Sequence, residues 1–144
     1  MKKIILFVLL ACFVFMLGCA SAPKYPSGVE FEQMGYFKAA PGEKGNNAAS
    51  GNVRVMTYYV SNFKDDSQVW TDIEKHAKSE MWSEGGITVI FYSNDKQHTP
   101  GDIVTLAKDY DTAMNFPESY NEYCVAGYWK YANGNEQFTK YPLK

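Results

Sequence analysis

Basic charge, histidine and cysteine are all scarce in this chain. Arg54 is its one arginine, and 14 lysines and arginines stand against 16 aspartates and glutamates, a net charge of −2. Nucleic-acid-binding domains gather Lys and Arg into a patch or stripe, so that class is excluded. His76 and His98 are the two histidines, thin material for imidazole chemistry or a structural metal centre needing three or four ligands. Cys12, Cys19 and Cys124 are the three cysteines, too few to staple a small disulfide scaffold. No G-x-S-x-G elbow occurs, and no Gly-rich phosphate loop follows a strand, since Gly85-Gly86 precedes one. The one long apolar run, Ile4 to Leu17, has 14 residues, short of the roughly 20 that span a bilayer.

That run follows Lys2-Lys3 and ends at Gly18-Cys19. Positive start, apolar stretch and small residue beside a cleavable bond come in the order of a secretory signal. Met16-Leu17-Gly18-Cys19 resembles the lipobox of bacterial lipoproteins, although Met16 and Leu17 stand where that family prefers Leu and a small residue. The resemblance covers only the first twenty or so residues and implies nothing about the remainder. It implies that residues 1–18 are a signal peptide and that Cys19 is acylated and becomes the first mature residue. Leu9-Leu10-Ala11-Cys12 also fits the pattern, but cleavage there would leave Phe13 to Leu17 as an exposed apolar tail, so Cys19 is favoured. By the family's sorting rule Ala20, not being Asp, favours the outer membrane over the inner one if the host is Gram-negative. On this reading 12 basic residues face 16 acidic ones, and Cys124 is left without a disulfide partner. The expected setting is the cell envelope, with the membrane engaged through an N-terminal lipid.

Residues 19–28 read as the lipidated cysteine and a tether, because Pro23 and Pro26 interrupt a small, polar stretch. If flexible it spans about 15–20 Å. Residues 29–144 suit one globular domain. Val29 to Lys38 alternates as a first strand, with Val29, Phe31, Gln33 and Phe37 on one face and Gly35 interrupting. Ala39 to Asn52 is a loop rich in Gly and Asn. Val53 to Val60 is a strand of β-branched and aromatic residues. Asp65 and Gln68 stand at capping-box spacing, and Trp70, Ile73, Ala77 and Met81 follow as one helical stripe, stopped by Gly85-Gly86. Ile87 to Tyr92 is nearly all apolar, the pattern of a strand covered on both faces.

A second helix is expected from Thr99-Pro100-Gly101-Asp102 to near Asn115, with Ile103, Leu106, Ala107, Tyr110 and Met114 on its buried face. Asn133-Gly134 joins the last two strands as a hairpin. The expected class is α+β. Its elements follow the order β-β-α-β-α-β-β as a two-layer sandwich, a mixed four- to five-stranded sheet with two helices on one face.

Few residues offer chemistry. Cys124 in mid-strand would need a nearby histidine to act as a nucleophile, and packing of a small thiol is the stronger reading. His76 and Glu80, four apart on a helix, offer at most two metal ligands, so no metal and no cofactor is expected. Asp109-Tyr110-Asp111 opens like a calcium loop but lacks its glycine.

The unusual feature is aromatic content, 20 aromatics after the signal, eleven of them tyrosines. A sheet covered on one face would present Tyr58, Tyr92 and Tyr128 on the other. Such a face could stack on a glycan or receive another envelope protein, against the alternative of ordinary cross-strand packing. The leading expectation is a membrane-anchored envelope lipoprotein with a small non-enzymatic binding domain. An envelope hydrolase using Cys124 or His76, and a purely structural envelope protein, remain open beside it.

Overall fold

The computed structural model describes residues 25–46, 51–80, 86–116 and 118–143. The signal segment 1–18 and Cys19 lie outside the described residues, as does Met81. The fold is α+β around one open, mixed, five-stranded sheet in sequential order β1-β2-β3-β4-β5. The strands are β1 (Glu30–Ala39), β2 (Asn52–Ser61), β3 (Gly86–Ser93), β4 (Cys124–Lys130) and β5 (Glu136–Lys140). Only β2 and β3 run parallel; the other neighbours are antiparallel. The parallel step needs a crossover, and α1 (Ser67–Ser79) supplies it.

Helix α1 starts one residue later than the capping-box spacing suggests. Asp66 is the N-cap, its carboxylate accepting from the Val69 N–H at 2.9 Å. Asp65 instead accepts from the Trp70 indole at 2.7 Å. Trp70, Ile73 and Ala77 are buried as expected. They lie over Met56, Tyr58 and Val60 of β2, Ile90 and Tyr92 of β3, and Ala126 and Tyr128 of β4.

The expected second helix is instead two short ones, α2 (Asp102–Thr105) and α3 (Tyr110–Met114), and a further short helix, α4 (Glu118–Asn121), follows beyond its expected end near Asn115. The break has a local cause. Asp109 turns extended and caps α3, accepting from the Thr112 N–H at 2.8 Å and the Thr112 hydroxyl at 2.6 Å. A residue that caps a new helix cannot continue the old one. Ile103 and Leu106 of the expected buried stripe are therefore exposed, 40% and 77%, while Val104, Ala107 and Ala113 are buried.

These short helices lie on the face opposite α1, not beside it. Val104, Ala107 and Ala113 pack with Phe37, Ala39 and Val55, whose side chains leave the sheet on the other side from Met56. Val89, Phe91, Tyr120 and Cys124 continue that second core. The sheet is thus covered on both faces where one covered face was expected. The physical reason is that β2 and β3 carry apolar residues at successive positions, and both sets need cover.

Strand β1 changes faces at a bulge. Its register against β2 shifts between Gln33 and Gly35, so Phe31 packs under α1 while Phe37 joins the opposite core. The single-face pattern expected for Phe31 and Phe37 is corrected by that inserted residue. Gly35 is required there by close approach. A Cβ would stand 2.6 Å from Thr57 Oγ1 and 2.9 Å from the carbonyl oxygens of Pro100 and Gly101. The hairpin forms as expected, with Gly134 at φ +85° and the Tyr131 N–H donating to the Asn135 carbonyl at 2.8 Å.

The end of the supposed tether belongs to the domain. Tyr25 is buried with its ring 4.8 Å from that of Phe31, and the Ser27 N–H donates to Asp72 Oδ2 at 2.9 Å. Tyr25 is already packed, ahead of the expected boundary at Val29.

Candidate functional site

Tyr58, Tyr92 and Tyr128 do not form an open face. Their exposures are 4%, 0% and 1%, because α1 lies over them. The expected Tyr-lined binding surface is core, and its rings pack on one another, Tyr58 and Tyr92 stacked at 5.8 Å between centroids.

His76 sits in the same core. Its Nδ1 is 2.9 Å from the Tyr92 hydroxyl, Phe31 stacks on its ring at 4.0 Å, and Tyr58 meets it edge-on at 4.6 Å. Burial in this aromatic setting pushes the imidazole down to about 4, so it is neutral at physiological pH. Its Nε2 lies 3.9 Å from the Glu80 carboxylate, too far for a hydrogen bond, and with the ring neutral the contact is not an ion pair.

Cys124 is buried on the other face, with its Sγ 3.6 Å from the Ala126 carbonyl. Burial pushes the thiol up to about 11, the opposite of what a nucleophile needs. His98 does not approach it as a base. It pairs with Asp95 at 2.9 Å and stacks on Tyr123 at 4.1 Å between ring centroids. Among the described residues, no three His, Cys, Asp or Glu side chains converge on a point where a metal ion would sit.

A cleft of about 490 Å³ opens at the β1 bulge. It is lined by Gln33, Met34, Gly35 and Tyr36 of β1, Arg54 and Met56 of β2, Glu80 at the end of α1 and Thr105 of α2. Arg54 is buried to 6% exposure on the α1 face of β2. Its guanidinium donates from Nη2 to the Glu80 main-chain carbonyl, placing positive charge at the C-terminus of α1, where the helix dipole is negative. Burial lowers the Arg54 pKa, with Tyr36 and Glu80 opposing that shift. Beside it, burial raises the Tyr58 phenol, and the Glu80 carboxylate adds to the effect. The cleft therefore joins a fixed cation, a carboxylate, an amide and the half-exposed phenol of Tyr36 along one edge of the sheet. Such a lining offers hydrogen-bonding and charged partners of the kind that polar ligands use.

Arg54 was not singled out from the sequence as a site residue. A signal was present: it stands between Val53 and Val55, and the pattern on both sides demands burial. The bulge that opens the cleft was marked only by Gly35. Comparison with protein-family models, with curated proteins and with solved structures gives no match, and function is read from the chain's own residues.

Proposed function

We propose that this chain is a lipid-anchored cell-envelope protein whose small α+β domain binds a polar ligand or envelope partner at the cleft beside the β1 bulge. The anchor is supported by Lys2-Lys3, the apolar run Ile4 to Leu17, and Gly18-Cys19, with Ala20 favouring the outer membrane if the host is Gram-negative. The observation that carries the binding reading is the cleft itself, about 490 Å³ with the buried Arg54 in its lining. A glycan or another envelope protein both offer the hydroxyls, carboxylates or amides that such a lining recognises. The hydrolase alternative loses both of its residues to the core, since Cys124 and His76 are 7% exposed each.

Two measurements test the two halves. Palmitate incorporation in a bacterial host is expected for the wild type and lost in Cys19→Ser; equal labelling of both would remove the anchor. For the cleft, a photoreactive residue at Gln33 is expected to give a discrete cross-linked product in cells, while one at Thr71, on the exposed flank of α1, gives none. Identical products from both positions, or none from either, would count against binding at this edge.

A further inference from the structure

The sheet ends in two edges, and they are treated differently. The β1 edge is interrupted by its bulge and covered by α2. The Tyr36 N–H donates to Thr105 Oγ1 at 3.2 Å, and Gly101 packs against the Met34 carbonyl. At the other edge, the Tyr131 N–H donates to Asn135 and the Tyr141 N–H to Val125. Hydrogen-bonded pairs alternate along an antiparallel ladder. Gln137 and Thr139 therefore bond inward to β4, and Glu136, Phe138 and Lys140 turn their N–H and C=O groups outward.

Strand β5 reads Glu136-Gln137-Phe138-Thr139-Lys140, a sequence that complements itself when reversed. We propose that β5 pairs antiparallel with β5 of a second copy, Phe138 opposite Phe138, joining the two sheets into one. In that register Glu136 faces Lys140 of the second copy on both sides of the twofold axis, and Gln137 faces Thr139. The outward N–H and C=O groups of Glu136, Phe138 and Lys140 then exchange hydrogen bonds with those of the second copy, so the pairing is isologous and closed. The side chains concerned stand on the α1 face. Phe138 packs against the core beneath α1, and Lys140 Nζ lies 4.9 Å from the Trp70 ring centroid.

The geometry also suits an anchored protein. A twofold axis between antiparallel edge strands runs perpendicular to the sheet, which keeps both α1 faces on one side. Tyr25 is buried on that face, and Cys19 precedes it by six residues, a stretch whose reach is about 20 Å at full extension. Both lipids then reach one bilayer. This last step rests on the lipid-anchor reading; the strand pairing does not. A five-residue edge is a small interface, and confinement to a membrane raises the effective concentration that a weak contact needs.

The test uses two differently tagged full-length copies co-expressed in a bacterial host, with one tag captured from membranes in mild detergent. Wild-type copies are expected to recover each other. Glu136→Lys sets lysine against Lys140, and Lys140→Glu sets glutamate against Glu136, so each variant alone is expected to lose about tenfold in recovery. Co-expressing the Glu136→Lys chain with the Lys140→Glu chain restores opposite charges at both positions and is expected to restore recovery. Lys108→Glu, exposed on the other face, is expected to change nothing. No recovery of the wild type overturns the pairing, as do undiminished recovery of either single variant with itself and a complementary mixture that stays apart. Thermal melts of each chain separate lost pairing from lost folding. Palmitate incorporation in the same cells reports the anchor, so a wild-type chain that pairs without label retains the strand pairing and removes the anchor.

Discussion

His76 Nδ1 and the Tyr92 hydroxyl meet at 2.9 Å between α1 and β3, with Phe31, Tyr58 and Tyr25 packed around the imidazole. A cation has no place in that setting. The ring is held neutral down to about pH 4, whereas in the unfolded chain it takes up a proton near its ordinary value of 6.5. Unfolding therefore binds a proton as pH falls. The His76 contribution is fully present above pH 6.5 and is lost progressively toward pH 4, by about 3 kcal/mol. Denaturant melts from pH 7.5 to 4 should show this slope in the wild type and a shallower one in His76→Gln. Parallel curves would mean that the imidazole is not held neutral in the fold.

Gly35→Ala tests the docking of the Pro100–Thr105 segment on the β1 bulge. Its Cβ would press on Thr57 Oγ1, which already donates to the Pro100 carbonyl, and on two main-chain oxygens that cannot swing aside. A loss of about 2–3 kcal/mol in chemical denaturation is expected. A loss under about 0.5 kcal/mol, the range of ordinary surface changes, would show that the close approach is not held in solution.

The element order was legible in the sequence because its punctuation is local: Asp66 ahead of α1, Asn133-Gly134 in the hairpin, Gly35 in β1. The layering was half legible. The apolar run Ile87 to Tyr92 asks for cover on both faces, whereas the helical periods alone suggest two helices on one face. What hid the answer was the span 102–114, where a helical period in the apolar residues outweighed Asp109 as a cap. The tyrosines are core for a separate reason: Tyr58, Tyr92 and Tyr128 lie under α1, whose side of the sheet no local pattern marks. The cleft depends on Arg54 meeting the end of α1 across 26 residues of sequence. No local pattern announces such a contact.

Arg54→Leu should separate the structural from the binding role of that contact. Loss of the guanidinium leaves the Glu80 carbonyl without its cationic partner and removes charge from the cleft. A destabilisation of about 2–3 kcal/mol is expected in thermal or denaturant melts. Cross-linking from Gln33 should also fall at temperatures where the variant is still folded. Unchanged cross-linking in the folded variant would show that Arg54 serves only the end of α1.

Cys124 gives a prediction that reads the core and the anchor in one experiment. Its thiol is 7% exposed and pushed up to about 11, so at pH 8 only about 0.1% of it is thiolate even where reagent reaches it. A thiol-reactive chromophore added to the native protein at pH 8 should therefore find Cys124 silent. Denaturation should expose it at once. If Cys19 is acylated and Cys12 leaves with the signal, the mature protein titrates no thiol when folded and one when unfolded. A second thiol after unfolding would mean that Cys19 carries no lipid on its sulfur. A fast-reacting native thiol in a chain carrying both Cys12→Ser and Cys19→Ser would place Cys124 outside the core.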